Sequence, residues 1–185
     1  MKQVETQIIK VAITLDNGEL AVMSFVTSGR SVSLPFGGQW FSSPEEGYWA
    51  REPTVENVQY EVNKTFSNVG RIGHQMPSPL SWQIVPKESV PIDRSYREAW
   101  IFNGKFDHDM PKAKQIHKDK LRLARNKKFI ELDGLWMKAF ATNNKQEVDR
   151  IEAERQVLRD LPQDPAIDTA TTIEQLKALW PVTLG

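Results

Sequence analysis

The sequence predicts an α+β fold in two parts. Residues 1–90 read as a β-hairpin-based module with one helix and an aromatic-rich loop. Residues 91–185 read as a helical hairpin with short flanking helices. Three observations lead there. Ile9, Val11, Ile13 and Leu15 alternate with Lys10, Ala12 and Thr14, the period-two pattern of a half-buried strand. Asp16-Asn17-Gly18 follows at once, and Asn-Gly is the strongest short hairpin signal because both residues tolerate positive φ. From Asp109 onward, apolar residues recur at helical spacing inside segments with capping residues at their ends.

The partner strand of the hairpin falls at 19–27, with Leu20, Val22, Met23, Phe25 and Val26. A third short strand is expected at 31–34, before Pro35 and Gly37-Gly38 break it. Between 35 and 51 the aromatics Trp40, Phe41, Tyr48 and Trp49 sit among Gly, Ser and Pro, and Glu45-Glu46 read as a helix start, where the dipole favours acids. The aromatics either plug the apolar face of the hairpin or form an exposed contact patch. A sheet of two or three strands is marginal alone and leaves open edges, and Trp and Tyr are enriched at interface hot spots. We therefore take these four as interface anchors and the first half as the principal contact surface. Pro53-Thr54 opens a helix whose Val55, Val58, Val62 and Phe66 share a face. Gly70, Gly73, Pro77 and Pro79 mark a loop over 67–82, and 82–85 is a short strand closed by Pro86.

In the second half, Asp93 is a candidate N-cap for a short helix at 94–100. Tyr96 and Trp100 would then share a face. Asn103-Gly104 ends that helix or forms a reverse turn. Asp109-Met110-Pro111 starts a long helix running to about Ala141, with Asp as cap and Pro in the first turn. Ile116, Leu123, Ile130 and Met137 recur every seven residues, a seam that wants a partner helix. Leu121, Leu132, Trp136 and Phe140 broaden it. On this reading Ile116, Leu123 and Ile130 are core or interface, and a buried Leu123 truncated to Ala costs about 2–5 kcal/mol. Gly134 weakens the helix by about 1 kcal/mol and invites a kink. Asn143-Asn144 breaks the chain, and Asn144 with Glu147 resembles a capping box. A returning helix follows over 145–161, with Val148, Ile151, Leu158 and Leu161 inward, stopped by Pro162. Thr171 with Glu174 makes a second capping box. It opens a helix over 172–180 with Ile173, Leu176 and Trp180 on one face, ended by Pro181.

Composition narrows the chemistry. A chain of 185 residues supports one domain or two small ones and can bury a core without disulfides or metals. It has no cysteine, which excludes disulfides, thiolate catalysis and Cys-ligated zinc and fits a reducing cytoplasm. No signal peptide is visible, and apolar runs stop well short of the ~18 residues of a membrane span, so no span is expected. Basic and acidic residues balance at 24 each, which favours neither nucleic acid nor an acidic partner over the whole chain. Such near-zero net charge favours association. Lys112, Lys114, Lys118, Lys120, Arg122, Arg125, Lys127 and Lys128 nevertheless cluster on the long helix. They read as a solvated face, with an acidic protein groove or a nucleic-acid backbone as the functional alternative. We discount nucleic acid, since the aromatics lie elsewhere. His108, Asp109 and His117 match no metal-site spacing, and no nucleotide-binding loop or hydrolase motif is present. No cofactor and no metal are expected. His117 reads as a solvated or capping residue on the basic side.

Four blocks carry a resemblance. Asp93-Arg94-Ser95-Tyr96-Arg97-Glu98-Ala99-Trp100 and Asp109-Met110-Pro111-Lys112-Ala113-Lys114-Gln115-Ile116-His117 resemble proteins encoded in the tail-gene region of tailed bacteriophages. Arg155-Gln156-Val157-Leu158-Arg159-Asp160-Leu161-Pro162 and the closing Trp180-Pro181 resemble the C-terminal part of phage tail-fibre assembly chaperones. The resemblance covers about half of the chain. It implies a non-enzymatic virion structural protein of the tail or tail-fibre apparatus, made in the bacterial host cytoplasm. Its partners would be other tail or tail-fibre proteins, with oligomeric assembly. The extra hairpin module favours a component that stays in the virion. One alternative is a tail-fibre assembly chaperone absent from the mature particle, and another is a phage inhibitor protein that binds a host enzyme. Beside the aromatics of the first half, the interface candidates are Tyr96, Trp100, Ile116, Leu123, Ile130, Trp136 and Trp180.

Overall fold

The fold was taken from a computed structural model, which describes residues 8–30, 42–43, 48–50, 53–73 and 75–184. It is α+β, an antiparallel hairpin first and helices last. The chain divides into two compact units. One comprises Met1–Arg94 with Trp100–Asp107, the other Ser95–Ala99 with His108–Gly185. The expected strand at 31–34, Trp40, Phe41 and the Glu45-Glu46 pair lie outside the described residues.

In the first unit, β1 (Ile8–Leu15) pairs antiparallel with β2 (Leu20–Val26). The turn between them holds Leu15 N–H on Glu19 O at 2.9 Å and Gly18 N–H on Leu15 O at 3.0 Å. Only Gly18 takes positive φ, +79°. Asn17 contributes through its side chain, whose Oδ1 accepts from Glu19 N at 3.0 Å. The three-residue loop with a left-handed glycine is a common hairpin connection. A second small sheet orders β3 (Ser28–Arg30), β4 (Ser42–Ser43) and β5 (Tyr48–Ala50) as β3-β5-β4.

Helix α1 (Val55–Thr65) begins at Thr54, whose hydroxyl accepts from Asn57 N. Its Val58, Val62 and the following Phe66 are buried with Val11, Ile13, Leu15 and Phe25. Val55, expected on that face, is exposed. The segment after α1 is closed by Asn68, whose side-chain amide donates to Met76 O and accepts from Met76 N. The last strand of this sheet, β6 (Pro79–Val85), is longer than expected and places β1 in the centre, in the order β2-β1-β6. A central strand is covered on both edges, and here Ala12 is buried as well as Val11 and Ile13.

The helix expected at 94–100 does not form. Arg97–Ala99 is a single 3-10 turn. Trp100–Phe102 is then a strand, β7, paired with β8 (Phe106–His108) across a turn at Gly104, φ +78°. Trp-Ile-Phe is a β-branched and aromatic run, which suits a pleated surface better than a helix.

The second unit is built on α2 (Met110–Ala141), 32 residues and about 48 Å long. Asp109 caps it, its Oδ1 accepting from Lys112 N at 3.1 Å. No break occurs at Gly134. The chain reverses at Thr142, whose hydroxyl donates to Lys138 O or Ala139 O, and Asn143, at φ +52°. Asn is one of the few side chains that tolerates this conformation. Asn144 then caps α3 (Lys145–Asp160), accepting from Glu147 N. The Glu147 carboxylate is held by Arg150.

Leu132 and Ala139 of α2 pack with Ile151 and Leu158 of α3. After Pro162, Asp164 caps a short helix, α4 (Pro165–Thr169), which the sequence reading lacked. The capping box of α5 (Ile173–Ala178) pairs Thr172 with Gln175, one residue later than Thr171 with Glu174. Gln175 Oε1 sits within reach of both Thr171 N and Thr172 N, so the amide at this position does the reciprocal work. A second core in this unit gathers Tyr96, Ala99, Ala113, Leu121, Ile167, Ala170, Ile173 and Leu176.

Candidate functional site

Helix α2 has an inner and an outer face, and the apolar heptad lies mostly on the outer one. The buried residues are Ala113, His117, Leu121, Leu132 and Ala139. Their spacing of four, four, eleven and seven follows a helix of 3.6 residues per turn. At 100° per residue, Ile130 lies roughly 160° from the centre of that stripe. Ile116 is half-buried and packs against the core around Tyr96. Leu123, Ile130 and Met137 are 69%, 73% and 62% exposed. Of the two roles expected for Leu123 and Ile130, core or interface, their exposure removes the core role and leaves the interface one open. At 100° per residue the line from Ile116 to Met137 already starts about 120° from the centre of the buried stripe, and the drift of about 20° per heptad only carries it further round the outer side.

The basic residues of α2 serve the unit itself more than the solvent, which corrects the expected solvated face. Lys114 Nζ donates to Asp168 O at 2.7 Å, while Lys118 pairs with the Asp168 carboxylate at 2.7 Å. Lys120 Nζ donates to Ser95 O and lies 4.4 Å from the centre of the Tyr96 ring. Arg125 Nη1 donates to Arg159 O at 2.9 Å and to Leu158 O at 3.3 Å. Arg122 and Lys128 make local pairs with Asp119 and Glu131.

His117 is 0% exposed, not solvated. Its Nδ1 lies 2.8 Å from Tyr96 Oη, and the Trp180 ring meets it edge-on with centroids 5.9 Å apart. Burial, then the nearby Lys120 charge, lower its pKa below the ordinary 6.5. The imidazole is thus held neutral as a packing and hydrogen-bonding group. Its sequence signal was the four-residue spacing Ala113, His117, Leu121.

The C-terminal turn, Val182–Leu184, runs past the middle of α2 and leaves a groove of about 640 Å³. Leu123, Ala124, Trp180, Val182 and Leu184 supply apolar lining, and Lys120, Lys127, Lys128 and Glu131 supply charge. Val182 is 97% exposed. After Pro181 there is no periodicity to mark Val182 or Leu184, so sequence reasoning had no means of finding this groove.

Of the other site residues, Tyr96 and Trp100 are buried in the chain and present no open contact face. Trp136 is half-buried and stacks on Phe140 with centroids 5.1 Å apart and planes 9° apart. Trp180 is half-buried beside the core and lines the groove together with Leu123. Tyr48 and Trp49 are consecutive residues of β5, opposite Arg30 and Gly29 of β3. Among the described residues, no three His, Asp or Glu side chains are placed to hold a metal ion. No helix among them is long and apolar enough to cross a membrane. No family model, curated protein or solved structure matches the chain.

Proposed function

We propose that this protein is a non-enzymatic structural component of a bacteriophage virion, in the tail or tail-fibre apparatus, and that it works by attachment to neighbouring tail proteins. The observation that supports attachment is the outer stripe of α2. Leu123, Ile130 and Met137 stand open on one line of a capped helix, and span about 21 Å. Fully burying each such side chain against a partner stabilises by about 1.5–3 kcal/mol. The phage affiliation rests on the four sequence blocks described above. On this reading the protein is made in the host cytoplasm and sits in the virion in several copies.

Mass spectrometry of purified virions tests this reading. The expected result is presence at a symmetric copy number such as three, six or twelve. Leu123→Asp and Ile130→Asp should fold normally yet fail to enter particles. Absence of the wild-type protein from particles overturns the structural reading. It selects the tail-fibre assembly chaperone, which the 155–162 block and Trp180-Pro181 favour.

A further inference from the structure

We propose that the groove between α2 and the C-terminal turn of the same unit receives an acidic peptide segment that carries apolar anchors, contributed by another protein. This deepens the attachment reading and rests on it. Shape and chemistry together select that occupant. The apolar lining, Leu123, Val182, Leu184 and Trp180, offers burial to aliphatic side chains and nothing to a sugar-phosphate backbone. Three lysines stand against one carboxylate, Glu131, and that carboxylate is already paired with Lys128 at 2.9 Å. Lys120 is met by a carbonyl and an aromatic face, not by an acid. Lys127 has no hydrogen-bond or ion-pair partner among the described residues. Among the described residues, the groove therefore carries two lysine charges without a carboxylate, in a chain whose net charge is zero. Leu123 also begins the exposed stripe that continues to Ile130 and Met137. A partner helix laid along that stripe would bring its end into the groove, with its acidic side toward Lys120 and Lys127.

The probe is a fluorescein-labelled, helix-forming peptide with leucines at helical spacing flanked by glutamates. Its twins carry lysine or glutamine in place of every glutamate. Binding to the full chain is followed by anisotropy. The glutamate peptide is expected to bind, the twins to bind much more weakly, and added salt to weaken the complex. Lys127→Glu should weaken it about tenfold, and Leu123→Asp should remove it. Both positions are open to solvent, and an unchanged circular dichroism spectrum confirms that the variants fold. A lysine twin that binds as well as the glutamate peptide overturns the proposal, as does binding unaffected by both variants. Competition by a single-stranded oligonucleotide at the same site overturns it in favour of nucleic acid. A dimer in sedimentation that Leu123→Asp dissolves overturns it in favour of a second copy of this chain. Particle incorporation separates the two levels. If Ile130→Asp blocks incorporation while the glutamate peptide fails to bind, attachment stands and the acidic occupant falls. If Ile130→Asp and Leu123→Asp are both incorporated normally, attachment itself falls.

Discussion

Leu121 and Leu123 are two positions apart on one helix, and truncating each to Ala should have very different consequences. Leu121 is 1% exposed, in a cluster drawn from α2, α4, α5 and the turn at Tyr96. Four separate segments cannot all collapse into the void. Leu121→Ala therefore belongs in the upper part of the range for buried leucines, about 3–5 kcal/mol. Leu123 keeps about two-thirds of its surface in water. Only a third of a full burial term of about 1.5–3 kcal/mol is at stake, so the loss is about 0.5–1 kcal/mol. The better helix propensity of Ala offsets part of that. In a domain of 60–100 residues each kcal/mol moves the melting temperature by about 4–8 °C. The expected shifts are more than about 12 °C for Leu121→Ala and less than about 8 °C for Leu123→Ala. Urea and thermal unfolding followed at 222 nm report mainly the helical second unit. Equal losses at the two positions, or a larger loss at Leu123, would refute the inner and outer faces assigned to α2.

His117 gives a pH signature. Its folded pKa lies below the ordinary 6.5 because of burial and Lys120, so the unfolded chain binds the proton more readily. This contribution to stability is full above the unfolded value and is lost as pH falls through the folded one. Urea midpoints should decline between about pH 7 and pH 5 in the wild type and decline less in His117→Gln. Gly134→Ala should stabilise α2 by up to about 1 kcal/mol, seen as a raised melting temperature, since an added Cβ meets nothing within 4 Å. Thr172→Ala removes the hydroxyl that accepts from Gln175 N at 3.2 Å. It should cost about 0.5–2 kcal/mol in denaturant titration, whereas Thr171→Ala should cost less.

Local rules made much of this fold legible. Asp109, Pro111, Asn143 and Asn144 act on their own few residues, so the bounds of α2 and the start of α3 follow from chemistry that needs no knowledge of tertiary structure. The hairpin was legible for the same reason, through alternation and Gly18. What depended on distant partners was hidden. Which side of α2 faces inward is settled by α3, α4 and α5, and the heptad drew attention to the wrong side. The segment 94–100 carried a plausible cap at Asp93, yet Trp100 pairs as a strand with a run that begins six residues later. The groove needed the chain end to return to the middle of α2, which no local pattern announces.

Three cations of α2 grip backbone carbonyls instead of carboxylates. Lys114 holds that of Asp168, Lys120 that of Ser95, and Arg125 those of Leu158 and Arg159. Every residue type offers the same carbonyl. These clasps therefore place no demand on which side chain occupies the clasped position, only on the path of the chain. Substitutions at Ser95 or Arg159 should leave them intact, while at Asp168 the second lysine, Lys118, also reads the side chain. Relatives of this protein should thus be able to diverge widely along these segments while α2 keeps its basic residues and the unit keeps its shape.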